Sequence, residues 1–152
     1  MDLIIKGGTV VAPEGASAMD VGIEGEKIVA VSTLGTLGSE NAKVIDATGK
    51  IVLPGGIEPH THINVPVPDY WAGGRSEVFT QPPESASRAA AFGGVTTFVD
   101  FAGNLPLTQG SAPPTDPIMI QIEKRRQIFS GHSYIDFTFH YILAGAVSSQ
   151  TI

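Results

Sequence analysis

Up to Gly55 the chain runs in short stretches of β-branched residues with a period of two, each closed by a turn signal. "DLIIKGGTVVAP" carries two such runs around Gly7-Gly8. In "MDVGIEGEKIVAVS", Val21 and Ile23 alternate with polar neighbours, Gly25-Glu26 fits a two-residue hairpin turn, and Val29 and Val31 resume the alternation. "AKVIDATGKIVLPGG" repeats the theme around a turn at Asp46-Ala47-Thr48-Gly49, and Pro54-Gly55-Gly56 ends it. The pattern predicts a small all-β unit over 1–55.

From Gly56 the period changes. "GIEPHTHI" predicts a strand, followed by the proline-bearing loop "NVPVPDYWAGGRSEVF". A short helix is predicted from about Pro82 to Phe92, with prolines in its first turn and Gly93-Gly94 as its stop. The strand "VTTFVDF", the loop "AGNLPLTQGSAPPT" and a second helix from about Pro117 to Phe129 come next. Asp116 is expected to cap that helix, Gly131 to end it, and Ile118, Met119, Ile122 and Phe129 to form its buried face. The strand "SYIDFTFHYIL" follows, then the tail "AGAVSSQTI". Strand, helix, strand, helix, strand is the pattern of a parallel sheet with crossover helices, so 56–152 is read as α/β.

Composition removes several classes of function. At 152 residues, 42% hydrophobic and 16% charged, the chain is globular rather than disordered. A net charge of −6 excludes nucleic acid and anionic membrane as natural partners, because no basic patch exists to neutralise phosphates. The one cationic run, "EKRR" at Glu123–Arg126, reads as a solvated helix face. With no cysteine there is no disulfide, thiolate zinc site or cysteine nucleophile. "MDLIIKGG" is too short for a signal peptide, and no apolar run approaches the roughly 20 residues that span a bilayer. These features predict a soluble, cytoplasmic protein.

The candidate chemistry sits in "EPHTHI". On a strand, Glu58, His60 and His62 share one side, and Ile57, Pro59, Thr61 and Ile63 take the other. Two imidazoles at that spacing can each place a nitrogen about 2.0–2.1 Å from one zinc ion. Their place near a strand end that opens into a long loop is where parallel α/β sheets gather their chemistry. On the next strand Asp100 lies near the end of a face shared with Thr96 and Phe98. It is either a carboxylate that holds the free N–H of a metal-bound imidazole or one that accepts backbone N–H groups. On the last strand Ile135, Phe137, Phe139 and Tyr141 form an apolar face, leaving Asp136, Thr138 and His140 to face the interior. His140 reads as a hydrogen-bonded interior histidine and His132 as a loop residue. No G-x-S-x-G elbow, P-loop or dinucleotide fingerprint opens a helix.

"DLIIKGGTVV", "DVGIEGEKIVAV", "VIDATGKIVLPGGIEPHTHI" and "AAFGGVTTFVDFA" resemble, in order, the N-terminal part of the cyclic amidohydrolases, above all dihydropyrimidinase and hydantoinase. The likeness covers about residues 2–142 and is most specific over Val44–Ile63. It implies a small β-sandwich segment, residues 1–55, beside the start of a (β/α)8 amidohydrolase barrel, residues 56–152. It also implies a metal-dependent hydrolase of cyclic amides: hydantoins, dihydropyrimidines or related imides. In that family the His-x-His pair on the first barrel strand holds the more buried of two zinc ions, so His60 and His62 are the implied metal ligands. This chain then offers one partial site. The family's bridging lysine, later histidines and catalytic aspartate are expected beyond Ile152. Glu58 stands where the family usually has Asp, and "NVPVPDYWAGG" departs from the usual substrate-loop wording.

A closed (β/α)8 barrel takes around 250 residues. Three strands and two helices after Gly56 cannot close one, so an N-terminal portion that is inactive alone is expected, completed by a complementary C-terminal chain or by homo-oligomerisation. The alternative is a non-catalytic amidohydrolase-like scaffold, against which both retained histidines count.

Overall fold

The computed structural model describes residues 1–75, 77–103 and 116–143. The expected loop after Gly103 and the tail from Ala144 lie outside the described residues. The chain divides into two compact units, Met1–Pro54 and Gly55–Ile152.

The first unit is a five-stranded sheet built on β1 (Leu3–Ala12). β2 (Gly15–Glu24) pairs antiparallel with it, and β3 (Lys27–Thr33) pairs antiparallel with β2. β4 (Lys43–Asp46) and β5 (Ile51–Val52) both run parallel to β1, along successive parts of it. The two runs around Gly7-Gly8 are therefore one strand, and the glycines mark a register shift between Ile5 and Gly8. Gly7 takes φ 77°, a left-handed conformation that a side chain resists. Its N–H donates to Asp20 Oδ1 at 2.9 Å, and the N–H of Gly35 donates to Asp20 Oδ2 at 2.8 Å. Asp20 is buried, and these two bonds, Gly7 first, hold its carboxyl below the usual carboxylate range. The Gly25-Glu26 turn forms as expected, with Glu24 paired to Lys27. Ile4, Val10, Val21 and Ala47 are the buried apolar residues, whereas Ile28, Val29 and Val31 of β3 stay exposed.

The second unit carries the parallel sheet β6 (Gly56–Thr61), β7 (Val95–Ala102) and β8 (Asp136–Tyr141). Helix α1 (Pro83–Phe92) connects the first two strands and α2 (Ile118–Phe129) lies between the last two. Pro83 opens α1, where its missing N–H costs nothing, and Gly93 caps it. The core is Ile63, Phe98 and Phe129, with Ala86, Ala90, Val95, Ile135, Phe137 and Phe139 packed around it. As expected, β8 turns Phe137 and Phe139 to this core, but Asp136, Thr138 and His140, expected to face the interior, are exposed on the sheet face opposite it.

α2 departs from expectation in two ways, at its N-cap and on its inward face. Pro117, not Asp116, occupies its N-cap; the Asp116 carbonyl accepts from Gln121 Nε2 at 2.6 Å and its carboxylate pairs with Lys124. The C-terminus of α2 is as expected: Ser130 is the C-cap and Gly131, at φ 77°, ends the helix in the left-handed conformation that glycine favours. Met119 is exposed, and the inward stripe is Ile118, Ile122, Arg125 and Phe129, spaced by four, three and four residues. One member of the supposedly solvated "EKRR" run therefore points into the unit, because Arg125 holds the stripe position one turn before Phe129.

Candidate metal centre

β6 ends at Thr61, so His62 lies just past the strand rather than within it. The strict alternation expected over 56–63 is also broken. Glu58 is opposite Phe98 while Thr61 is opposite Asp100, so β6 carries one extra residue between these pairs. Pro59 sits in that stretch and has no N–H to give a ladder. The register puts Glu58 on the side of Phe98, and its carboxylate turns back to accept the His60 N–H at 3.2 Å. Glu58 therefore leaves the side it was expected to share with the histidines.

The bulge leaves His60 and His62 together, with Nε2 atoms 3.2 Å apart and ring planes at 89°. An ion about 2.0–2.1 Å from both nitrogens would subtend an angle of about 100°, close to the tetrahedral value. The pair thus fits two positions of a zinc site, provided both Nδ1 atoms carry the protons. Among the described residues no group of three His, Cys, Asp or Glu is placed to hold an ion.

Phe101 forms the floor beneath the pair. Its ring stacks on His62 (centroids 5.0 Å, planes 30° apart), meets His60 at 4.6 Å, and lies 5.2 Å from His140. His140 Nε2 sits 3.2 Å from the Pro59 carbonyl oxygen, so it braces the backbone of the bulge. Phe101 is opposite His140 in the register, which places this aromatic cluster on the sheet face away from the α-helical core. Nothing in the notation of a metal motif marks Phe101; the signal was only its parity with His140. His132 lies on the turn before β8, at the opposite end of the parallel strands.

Asp100 lies on the core side of β7 and is fully buried. Among the described residues its oxygens accept from Thr61 Oγ1 (2.8 Å), the N–H of Ile63 (2.9 Å), its neighbour Phe101 N–H (2.8 Å) and Arg125. No imidazole is among these partners, so Asp100 reaches His62 through the backbone. Arg125, missed in the sequence, places Nη2 2.5 Å from Asp100 Oδ1 and also donates to the Ile63 carbonyl. Its guanidinium lies over the Phe129 ring at 5.1 Å. The clue in the sequence was a cation at an inward stripe position of α2.

The loop after His62 is folded back on itself. Val67 N–H donates to the Val78 carbonyl and Thr80 N–H to the Val65 carbonyl, at 2.8 and 2.9 Å, and Pro66 bridges to Phe79. Tyr70 and Trp71 lie exposed in this loop.

The chain is 37% identical over 144 residues to the D-hydantoinase of Geobacillus stearothermophilus, covering 95% of this chain and 27% of that protein. It is 43% identical over 108 residues to the allantoinase of Salmonella enteritidis PT4, covering 70% of this chain and 21% of that one. Among solved structures, a D-hydantoinase superimposes with TM-score 0.78 at 32% identity, covering 99% of this chain and 29% of that chain. The dihydropyrimidinase of Brevibacillus agri NCHU1002 superimposes with TM-score 0.77 at 34% identity, over 99% and 29% respectively. The chain therefore spans about a quarter of the length of the relatives it matches. No family model matches it.

Proposed function

We propose, on the premise that this chain belongs to the hydantoinase-like cyclic amidohydrolases, that it supplies the first metal ligands, His60 and His62, of an enzyme that opens a cyclic amide or imide. The observation that carries this reading is the 3.2 Å convergence of two Nε2 atoms at the C-terminal end of a parallel strand. The β6-β7-β8 sheet with its two helices is read as the opening of a (β/α)8 barrel, whose loops at that end hold the chemistry. Residues 1–55 are read as the β-sandwich segment beside it.

His60 and His62 each offer a ring nitrogen, and Phe101 keeps both rings in place from one side. Zinc bound there supplies Lewis-acid chemistry, polarising a ring carbonyl and acidifying water. Zinc takes three or four protein ligands, so the rest of the set, a second zinc site and the proton-transferring group come from elsewhere in the protein or from a partner chain. The described segment by itself binds zinc weakly and turns nothing over.

The test uses the full protein, with metal content and ring opening measured on hydantoins, dihydropyrimidines and cyclic imides. H60A/H62A should lose zinc and turnover together. Undiminished zinc in the double variant would overturn the ligand assignment. Zinc binding with no turnover of any ring would favour a scaffold.

A further inference from the structure

We infer that Asp100 and Arg125 form a buried clamp that positions His62 and thereby sets how tightly the histidine pair holds a divalent cation; this rests on the metal-binding reading of that pair. One oxygen of Asp100 grips both neighbours of His62: Oδ2 accepts Thr61 Oγ1–H at 2.8 Å and Ile63 N–H at 2.9 Å. The other oxygen holds Arg125 and the N–H of Phe101, whose ring stacks on His62. A single carboxylate thus fixes the main chain that carries the imidazole and the surface its ring rests on. Arg125 closes the grip by donating to the carbonyls of Ile63 and, at 3.5 Å, Asn64, which sits at φ 51°.

The construction is more than core filling. Well-packed apolar residues often stabilise a core as well as a buried ion pair does, because both charges must be stripped of water. What apolar groups cannot do is hold a peptide unit from both sides. A planar guanidinium can, since its fork bonds a carboxylate and a carbonyl together, while a lysine ammonium is a single point. Arg125 and Asp100 have side-chain exposures of only 10% and 0%, and Phe129 supports the guanidinium from below. Partners of this kind behind a metal ligand typically govern affinity by about ten- to a hundredfold when removed. Here the connection runs through the backbone, not through the imidazole N–H.

The experiment compares R125K, D100N and T61V with wild type in the full protein, measuring zinc affinity by chelator competition and histidine ring signals by NMR. D20N, in the other unit, serves as a variant that perturbs stability away from the site. R125K and D100N should weaken zinc about ten- to a hundredfold and T61V about tenfold, each moving the His62 ring signals but not those of His132. D20N should leave affinity within about twofold. T61V leaves the ion pair intact, so it decides the matter if either charge variant fails to fold. The clamp is refuted if T61V and R125K bind zinc like wild type, with unmoved His62 signals, while H60A/H62A loses the metal. Retention of zinc by H60A/H62A would instead sink the metal reading itself.

Discussion

Truncating Phe129 to alanine tests the packing on which the site rests. Phe129 is fully buried at the end of α2. Its ring meets Phe137 at 5.1 Å and Phe139 at 5.3 Å between centroids, and the Arg125 guanidinium lies over it. A buried Phe→Ala change costs about 3–5 kcal/mol through lost transfer energy and the remaining cavity. Two aromatic pairs, each worth about 0.5–1.5 kcal/mol beyond burial, put this site towards the upper end. Domains are stable by only about 5–15 kcal/mol, so the second unit should lose a large share of its margin. F129L keeps a smaller apolar plug and should lose about 1–2 kcal/mol. Urea unfolding followed by far-UV circular dichroism and by Trp71, the sole tryptophan, measures both variants. The slope with denaturant should stay constant while the midpoint falls. A loss under about 1 kcal/mol for F129A would refute the packing argument, since no collapse of the surroundings can make so enclosed a ring dispensable.

Two further outcomes concern the first unit. The folded Asp20 carboxyl titrates below its ordinary value of 3.8, so its contribution is fully present above that value and disappears as pH falls through the folded one. Wild type should therefore lose its advantage over D20N on acidification, and equal pH dependence of their urea midpoints would contradict the Gly7 and Gly35 bonds. G7A should destabilise by about 1–3 kcal/mol, because φ 77° is costly for alanine and the new Cβ would crowd the Thr48 hydroxyl. Thermal unfolding of G7A checks this, and an unchanged midpoint would show that the strand bulge is not strained.

What the sequence determined by itself was whatever depends on short-range pattern. Period-two runs and paired glycines specified the strands of the first unit, and proline-opened, glycine-closed stretches specified α1. The alternation in β8 assigned Phe137 and Phe139 to the core, since side-chain direction along a strand is fixed by the backbone. His60 and His62 were legible as neighbours because two residues of an extended chain return a side chain to the same side.

Tertiary structure decided the rest. Whether Glu58 joins the histidines depends on a bulge against β7, a property of pairing that β6 alone does not carry. Phe101 and His140 come under the pair only through the parallel register of two strands some forty residues apart. Arg125 sits in a charged run that looks solvated in isolation. It is drawn inward because Asp100 and two carbonyls, from distant parts of the chain, converge where α2 crosses the sheet. A buried charge is stable only beside its partners, and those partners exist only once the chain has folded.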